Sequence, residues 1–234
     1  MHPWDRIYAY FLERGFPEDL LDFVCIHREE ALQIDAIIQE KQPRVLLEIG
    51  SFIGLSTGVL ALTSPPQCTI VSVDPNFPVG LLSPDVHYFE GERTLFFLKK
   101  MLQDFNVSSK VEILEGYFSY ASSVYRDRFI ARGGDPQLLA HQEVAIVGSK
   151  ARTFAPYDLA FLDGDHSTEV VYSDLLLIQK YLAKDGIIIL HDAADQNYWE
   201  PYIRAAVMHF RDDYPAFRFD RRGNLGFLSM PTDD

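Results

Sequence analysis

Residues 44–58, RVLLEIGSFIGLSTG, constrain the fold of this chain more than any other stretch. The stretch opens with apolar residues that only Glu48 interrupts, as expected of a strand covered on both faces of a parallel sheet. Gly50 allows a sharp turn and the close approach of a ligand, and Gly54 allows tight contact between helix and sheet. Ser56 then places a hydroxyl where the free N–H groups of a helix start favour an anion. The pattern predicts a strand, a turn and a helix, and it suits an ordinary α/β turn as well as a ligand-binding one.

The composition predicts one α/β domain over residues 1–234. The chain is long enough for a sizeable core, and hydrophobic residues make up 47% of it. Lysine and arginine number 21 against 34 aspartates and glutamates, which gives a net charge of −13. Basic groups are short, as at Arg218, Arg221 and Arg222. Nucleic acids and anionic membrane surfaces are therefore not expected as partners.

Neither the cysteines nor the first residues indicate export. Cys25 and Cys68 lie far apart without metal-like spacing, which favours buried thiols over a disulfide framework. Residues 1–16 lack the basic start and apolar core of a secretion signal, and no apolar run approaches the length of a membrane span. We expect a soluble, cytoplasmic protein.

Beyond residue 43, strand and helix patterns alternate, which predicts a parallel sheet with helices on both faces. Two helices, at residues 4–14 and 18–41, come before it. The predicted strands are residues 45–49, 68–73, 111–114, 158–162, 186–190, 217–220 and 225–230. The predicted helices between them are residues 56–62, 91–105, 168–183 and 200–212, with helical pieces near residues 121–131 and 136–146. The last two strands are close enough in sequence to form an antiparallel hairpin.

The chain thus divides into N-terminal helices at residues 1–43 and a Rossmann-like core at residues 44–230. Within the core, residues 117–156 form a long connection for an α/β unit. We interpret part of it as an insertion that covers a ligand pocket, because it begins at the carboxyl end of a strand, where ligands of such sheets lie.

Polar residues follow several of the predicted strands. Ligands of such sheets lie beyond the carboxyl ends of the strands, so these residues should meet at one edge. The residues at these strand ends are Glu48, Gly50, Asp74, Gly116, Asp163, His191 and Asp192.

Asp74, at the end of the second predicted strand, suits the hydroxyls of a ribose because a carboxylate only accepts hydrogen bonds. It also suits a simple Asp-Pro turn. A dinucleotide and an adenosyl sulfonium compound both contain such a ribose. The pyrophosphate loop of dinucleotide folds is G-x-G-x-x-G, whereas Gly50 and Gly54 here enclose Phe52 and lack the middle glycine. Phe52 would crowd a pyrophosphate, which favours the sulfonium compound.

Two strand ends carry a second cluster of polar residues. FLDGDH supplies Asp163, Asp165 and His166, and LHD supplies His191 and Asp192. Three acids and two imidazoles suit Mg²⁺ or another divalent cation, and His191 also admits Mn²⁺ or Fe²⁺. The alternative is that Asp165 caps the next helix while His191 and Asp192 are turn residues.

The motifs LEIGSFIGLST, VSVDPN, FLDGDHSTEVVYSDL and GIIILHDA resemble the class I S-adenosylmethionine-dependent methyltransferases, particularly the groups like catechol and macrocin O-methyltransferases. The resemblance covers residues 31–230. It implies a seven-stranded sheet of order 3-2-1-4-5-7-6 with an antiparallel seventh strand, and methyl transfer to a hydroxyl of a small molecule such as a sugar or a phenol.

The resemblance also implies roles for individual residues. Asp163, His191 and Asp192 match the metal ligands, although His191 replaces a usual carboxylate, and His166 stands where catechol-type enzymes place their basic lysine. His166 is therefore the predicted catalytic base, and Mg²⁺ or Mn²⁺ the predicted metal. The residues that match cofactor contacts are Glu48, Gly50, Ser51, Phe52, Ser56, Asp74, Gly116, Tyr117 and Asp163.

Two other functions remain open at this stage. A nicotinamide-dependent oxidoreductase would share the glycine turn and the ribose acid, and a non-catalytic protein that binds an adenosyl cofactor would need the acids to be structural. The aromatic residues Tyr117, Phe118, Tyr198 and Trp199 suit walls of an acceptor pocket or plain core positions. The apolar N-terminal helices suit a homo-oligomer interface.

Overall fold

A seven-stranded sheet of order β3-β2-β1-β4-β5-β7-β6 forms the centre of the molecule, with β7 antiparallel to both of its neighbours. The computed structural model describes residues 1–79, 92–119, 146–194 and 197–231. The predicted Rossmann-like strand order is confirmed. The strands are β1 (Val45–Ile49), β2 (Thr69–Asp74), β3 (Val111–Glu115), β4 (Tyr157–Leu162), β5 (Leu182–Leu190), β6 (Arg218–Arg222) and β7 (Leu225–Ser229).

Helices cover both faces of this sheet. The described helices are α1 (Pro3–Glu13), α2 (Glu18–Val24), α3 (Arg28–Lys41), α4 (Leu55–Thr63), α5 (Thr94–Asp104), α6 (Gly148–Ala151), α7 (Thr168–Ile178) and α8 (Glu200–Asp213), with 3-10 turns at Ser108–Lys110 and Arg152–Phe154. Among the described residues, no helix is long and apolar enough to cross a membrane.

Alternate residues of each central strand enter different cores. Leu46 of β1 packs in the core that α1, α3, α4 and α5 share, and Leu47 packs in the core under α7 and α8. Ile189 and Ile188 of β5 divide in the same way. Because both faces are covered, the central strands β1, β2 and β4 are mostly apolar, and a polar residue such as Glu48 in β1 requires partners inside the protein.

The registers bring the carboxyl ends of the central strands level. Ile49 at the end of β1 pairs with Val73 of β2 on one side and with Leu162 of β4 on the other, and Leu162 pairs with Leu190 of β5. Residues that follow these positions therefore meet at one edge of the sheet, as predicted.

Two predicted boundaries are wrong. The predicted helix at 18–41 is broken, because Cys25 is extended (φ −121°, ψ 160°) and a new helix starts after His27. Glu30, three residues after His27, accepts the His27 backbone N–H as in a capping box, which stabilises the new start. No glycine or proline marks this break in the sequence.

The predicted helix at 168–183 ends early, at Ile178, and β5 begins at Leu182 rather than at residue 186. An irregularity in the ladder explains this difference: β4 pairs Tyr157 with Leu182 but Leu159 with Ile187. The extra residues of β5 bulge out between these pairs. The predicted helices at 121–131 and 136–146 lie largely outside the described residues, as do residues 120–145 of the predicted insertion.

Candidate active site

The glycine turn after β1 packs directly against the end of β4. Gly50 has φ +86°, and a Cβ placed there would lie 2.1 Å from the carbonyl oxygen of Asp163. Gly54 has φ +101°, and its Cβ would lie 2.5 Å from the side chain of Leu98 in α5. Glycine is therefore required at Gly50 by backbone conformation and by space, and at Gly54 mainly by backbone conformation. The turn therefore brings the predicted cofactor residues into contact with Asp163, the first residue of the predicted metal cluster.

Glu48 lies beneath this turn and is fully buried. Its carboxylate accepts hydrogen bonds from the hydroxyls of Ser56 (2.7 Å), Thr57 (2.6 Å) and Ser72 (2.8 Å). Burial raises its pKa to about 7, against the opposing effect of these hydroxyls. Glu48 does not line the cavity described below, so its expected direct contact with a cofactor does not follow from the geometry; it supports the turn instead.

Asp74 also faces the glycine turn. One oxygen accepts the backbone N–H groups of Ser51 (3.2 Å) and Phe52 (2.8 Å), and the other accepts the N–H of Asn76 (2.7 Å) and the hydroxyl of Thr94 (2.9 Å). A carboxylate offers about four acceptor positions, and all are used. Burial raises the pKa of Asp74 despite these donors. A bond to a ribose would have to replace or share one of them.

A cavity of about 570 Å³ opens at the carboxyl edge of the sheet. Every predicted cofactor residue except Glu48 lines it, and so do His166, His191 and Asp192. Helix α2 closes one side with Asp22, Phe23 and Val24, which sequence reasoning did not place at the site. The predicted cofactor, metal and base residues therefore share one enclosure.

Four side chains converge at the end of β4 and β5. Asp163, His166, His191 and Asp192 each offer one ligand atom, and these atoms lie within 4.8 Å of one another. Two of the nitrogens, His166 Nε2 and His191 Nδ1, are buried without a hydrogen-bond partner. Buried polar atoms are normally paired, so unpaired nitrogens next to two carboxylates fit a cation that shares all four residues.

His191 lies between carboxylates on both sides of its ring. Nδ1 is 2.9 Å from Asp163 Oδ1 but is not aligned for a hydrogen bond, and Nε2 is 3.1 Å from Glu30 Oε2. Burial alone would lower the pKa of His191, but Asp163 and the other carboxylates raise it well above its usual value. Glu30 was not predicted at the site, because the sequence gives no sign that α3 reaches β5.

Asp192 is held by two asparagines. Its Oδ1 accepts the side-chain amides of Asn197 (2.7 Å) and Asn224 (3.0 Å), and its backbone is left-handed, with φ +56°. Burial opposes ionisation of Asp192, but the contact with His191 keeps its pKa well below the usual range. Sequence reasoning missed both asparagines, since Asn224 is distant in the chain and looks like an ordinary hairpin residue.

His166 faces the same two carboxylates. Its Nε2 is 3.6 Å from Asp163 Oδ1 and 3.5 Å from Asp192 Oδ2, and its ring stacks on Trp199 with centroids 5.5 Å apart. The structure thus places the predicted base, His166, within the predicted metal cluster. Burial opposes ionisation of Asp163, but His191 and His166 hold the pKa of that carboxyl below its usual value.

Aromatic side chains line the outer part of the cavity. Tyr117, Phe118, Tyr198 and Trp199 all belong to the lining, together with Phe23 of α2. Phe23 is 81% exposed and Tyr198 is 74% exposed. Exposed rings of this size beside an enclosed polar cluster are typical of a ligand-binding rim.

A sequence model described as a methyltransferase domain matches residues 47–193, more than half of the chain. The chain belongs to this methyltransferase family. The matched residues include the glycine turn, Asp74 and all four residues of the β4–β5 cluster, but not Glu30. The prediction of a class I, S-adenosylmethionine-dependent methyltransferase is thereby confirmed for the family and the fold, and the oxidoreductase alternative is dropped.

Solved methyltransferase structures share the fold. The cofactor-bound protein Rv0187 from MTB is 15% identical over 97% of this chain and 89% of its own, with a TM-score of 0.61. The O-methyltransferase TomG of Streptomyces achromogenes, involved in tomaymycin synthesis and solved with S-adenosylmethionine, is 13% identical over 99% and 100% of the two chains, with a TM-score of 0.56. Identities this low establish the shared fold alone.

Two further proteins are similar to this chain. The O-methyltransferase from Bacillus cereus, solved with S-adenosylhomocysteine, is 13% identical over 97% of this chain and 98% of its own, with a TM-score of 0.56. The uncharacterized protein R132 of Acanthamoeba polyphaga mimivirus is 36% identical over 62 residues, which cover 26% of this chain and 28% of the viral protein.

Proposed function

We propose that the protein transfers the methyl group of S-adenosylmethionine to a hydroxyl of a small molecule, with a divalent cation at the β4–β5 cluster. The observation that carries this proposal is the cluster of Asp163, His166, His191 and Asp192 in the same cavity as the glycine turn. An amine acceptor is nucleophilic once neutral, whereas a hydroxyl needs help to lose its proton. A cluster of acids and imidazoles supports that step.

The donor set supports a particular class of metal. Two carboxylates and the imidazole of His191 suit Mn²⁺, Fe²⁺ or Zn²⁺ better than Mg²⁺, which prefers oxygen ligands. Asp163, His191 and Asp192 would hold the ion, as the sequence predicted. A cation bound there would act as a Lewis acid on the acceptor oxygen and lower its pKa.

The chain's own residues supply orientation and proton transfer. The Gly50 turn lies against the Asp163 backbone, so groups bound at the turn and at the cluster are held next to each other. Holding two reactants in line is the main source of rate in such a transfer. We expect the aromatic rim to shield the charged groups from water once an acceptor is bound, which suits a reaction that neutralises charge.

His166 has two candidate roles that exclude each other at a given moment. If Nε2 takes the proton from the hydroxyl that is methylated, His166 is the base. If Nε2 binds the cation, His166 is a metal ligand. We expect the first, because the three other residues already supply a ligand set. His166→Ala should then lower kcat about 100-fold with little change in Mn²⁺ affinity. An affinity loss that matches the loss in kcat would assign His166 to the ligands.

The test of the proposed function is methyl transfer itself. The purified protein is dialysed against a chelator and assayed with radiolabelled S-adenosylmethionine on panels of phenols, sugars and amines, with and without added Mn²⁺ or Mg²⁺. We expect transfer to a hydroxyl acceptor that Mn²⁺ restores. Full activity without metal would reject the cation, and transfer only to amines would reject the hydroxyl acceptor. Cofactor binding without transfer to any acceptor would favour the non-catalytic alternative.

A further inference from the structure

Glu30 reaches the β4–β5 cluster from outside the matched methyltransferase domain. It lies in the first turn of α3, its residue is only 3% exposed, and its Oε2 is 3.1 Å from His191 Nε2. The other ring nitrogen, Nδ1, faces the carboxylates of Asp163 (2.9 Å) and Asp192 (3.4 Å). The imidazole of His191 therefore links Glu30, which lies in α3, to the carboxylates of the cluster.

A histidine binds a metal through one unprotonated nitrogen, while the other nitrogen keeps its proton. In many metal sites a carboxylate accepts that second N–H, which fixes the tautomer and the ring orientation and makes the ligand more basic. Glu30 is placed to accept from Nε2, and this leaves Nδ1 as the ligand atom. We propose that Glu30 is a positioning residue that fixes the tautomer of His191 and so turns it into a metal ligand.

Helix capping alone does not explain Glu30. A capping box needs one acceptor for the N-cap N–H, and Asp5 provides this for His2 in α1 with a partly exposed side chain. Glu30 does the same for His27 through Oε2, the oxygen that also faces His191 Nε2, and its other oxygen, Oε1, is buried without a hydrogen-bond partner. Burying a carboxylate is costly, and the contact with His191 gives a reason for that cost.

This inference rests on the cation of the proposed function, so its test measures metal binding and the His191 tautomer rather than methyl transfer. Mn²⁺ affinity is measured by calorimetry for the wild type, Glu30→Ala, Glu30→Gln and Glu29→Gln. Glu29 is exposed in the same turn, so Glu29→Gln removes the same charge without touching His191. The protonated ring nitrogen of His191 is identified by ¹⁵N NMR of histidine-labelled, Zn²⁺-loaded protein.

We expect the proton on Nε2 in the wild type. Glu30→Ala should weaken Mn²⁺ binding about 10- to 100-fold and mix the tautomers. Glu30→Gln keeps an oxygen acceptor, and glutamine is also favoured at this position of a capping box. It should therefore retain the tautomer but, without the negative charge, weaken Mn²⁺ binding about 3- to 10-fold. Glu29→Gln should bind like the wild type.

Three outcomes would overturn the inference: unchanged Mn²⁺ affinity in Glu30→Gln, a proton on Nδ1 or on both nitrogens of loaded wild-type protein, or an equal loss in Glu29→Gln. Glu30→Gln decides the question even if Glu30→Ala does not fold. A wild type that binds no cation would overturn it together with the cation of the proposed function, while the methyl-transfer assay would still decide whether the protein transfers a methyl group.

Discussion

The two halves of the ligand edge treat their polar side chains in opposite ways. At the ends of β1 and β2, the carboxylates of Glu48 and Asp74 accept seven hydrogen bonds from protein donors. At the ends of β4 and β5, nitrogens of His166 and His191 are buried without a hydrogen-bond partner. The two halves are adjacent strands of one sheet, yet the first gives its carboxylates protein donors, whereas the second holds its charges in ion pairs and leaves two buried ring nitrogens without a hydrogen bond.

From this difference we infer that the first half supports the cofactor turn and that the second half carries the reactive groups. The paired carboxylates hold the Gly50 turn in one shape, so that a cofactor meets a preorganised backbone. The unpaired cluster carries a free-energy cost that a bound cation would offset. Changes in the first half should therefore affect stability and cofactor binding, and changes in the second half should affect metal binding and turnover.

The largest effect is expected at Asp163, which contacts both histidines of the cluster. Asp163→Asn keeps the shape of the side chain and removes a charged ligand, so kcat should fall more than about 100-fold and Mn²⁺ binding should be lost. Steady-state kinetics and calorimetry measure this. Asp185→Asn, an exposed acid in β5, is the control; a variant at Asp163 with wild-type kcat would break the distinction between the halves.

The next effect tests the contact between the halves. Gly50→Ala would drive a Cβ to 2.1 Å from the Asp163 carbonyl in a left-handed conformation. The turn must shift, at a cost of about 2 kcal/mol or more. We expect a lower midpoint of urea unfolding and at least about 10-fold weaker S-adenosylhomocysteine binding by calorimetry. Unchanged cofactor affinity would show that the turn does not form the cofactor site.

A third effect, on stability rather than on ligand binding, is expected at Glu48. Its pKa rises from 4.5 to about 7 on folding, so the folded state binds more protons between these values and stability falls as the pH rises through them. The shift corresponds to about 3 kcal/mol. Urea unfolding between pH 4.5 and 8 should show this fall, and Glu48→Gln should reduce it. A slope equal to that of the wild type would refute the assignment.

The smallest effect is expected at Asn224, which donates to Asp192 from the β6–β7 hairpin. Because Asn197 still holds the same oxygen, Asn224→Ala should weaken Mn²⁺ binding only about 2- to 5-fold, below the usual range for an outer-shell partner. Calorimetry measures it. A loss as large as that of Asp163→Asn would mean that Asn224 itself contacts the ligand.

Local patterns predicted the strands and the edge at which the site residues meet, and the resemblance to class I methyltransferases supplied the strand order. Apolar runs located the strands, and the parallel arrangement then placed Asp74, Asp163 and His191 at one edge. Partners that come from elsewhere in the chain could not be predicted. Glu30 reaches His191 across 161 positions, and the break that places α2 at the cavity has no glycine or proline to mark it. Likewise, the four donors to Asp74, among them Ser51 and Thr94, come together only in the folded chain.

The central claim is that the unpaired cluster at the ends of β4 and β5 binds a divalent cation while the paired carboxylates of β1 and β2 do not. Anomalous diffraction from crystals soaked in Mn²⁺ tests this most directly. We predict one strong peak within bonding distance of Asp163, His191 and Asp192, and none beside Glu48 or Asp74. A fully occupied soak with no peak at the cluster, or with a peak beside Asp74 instead, would contradict the claim.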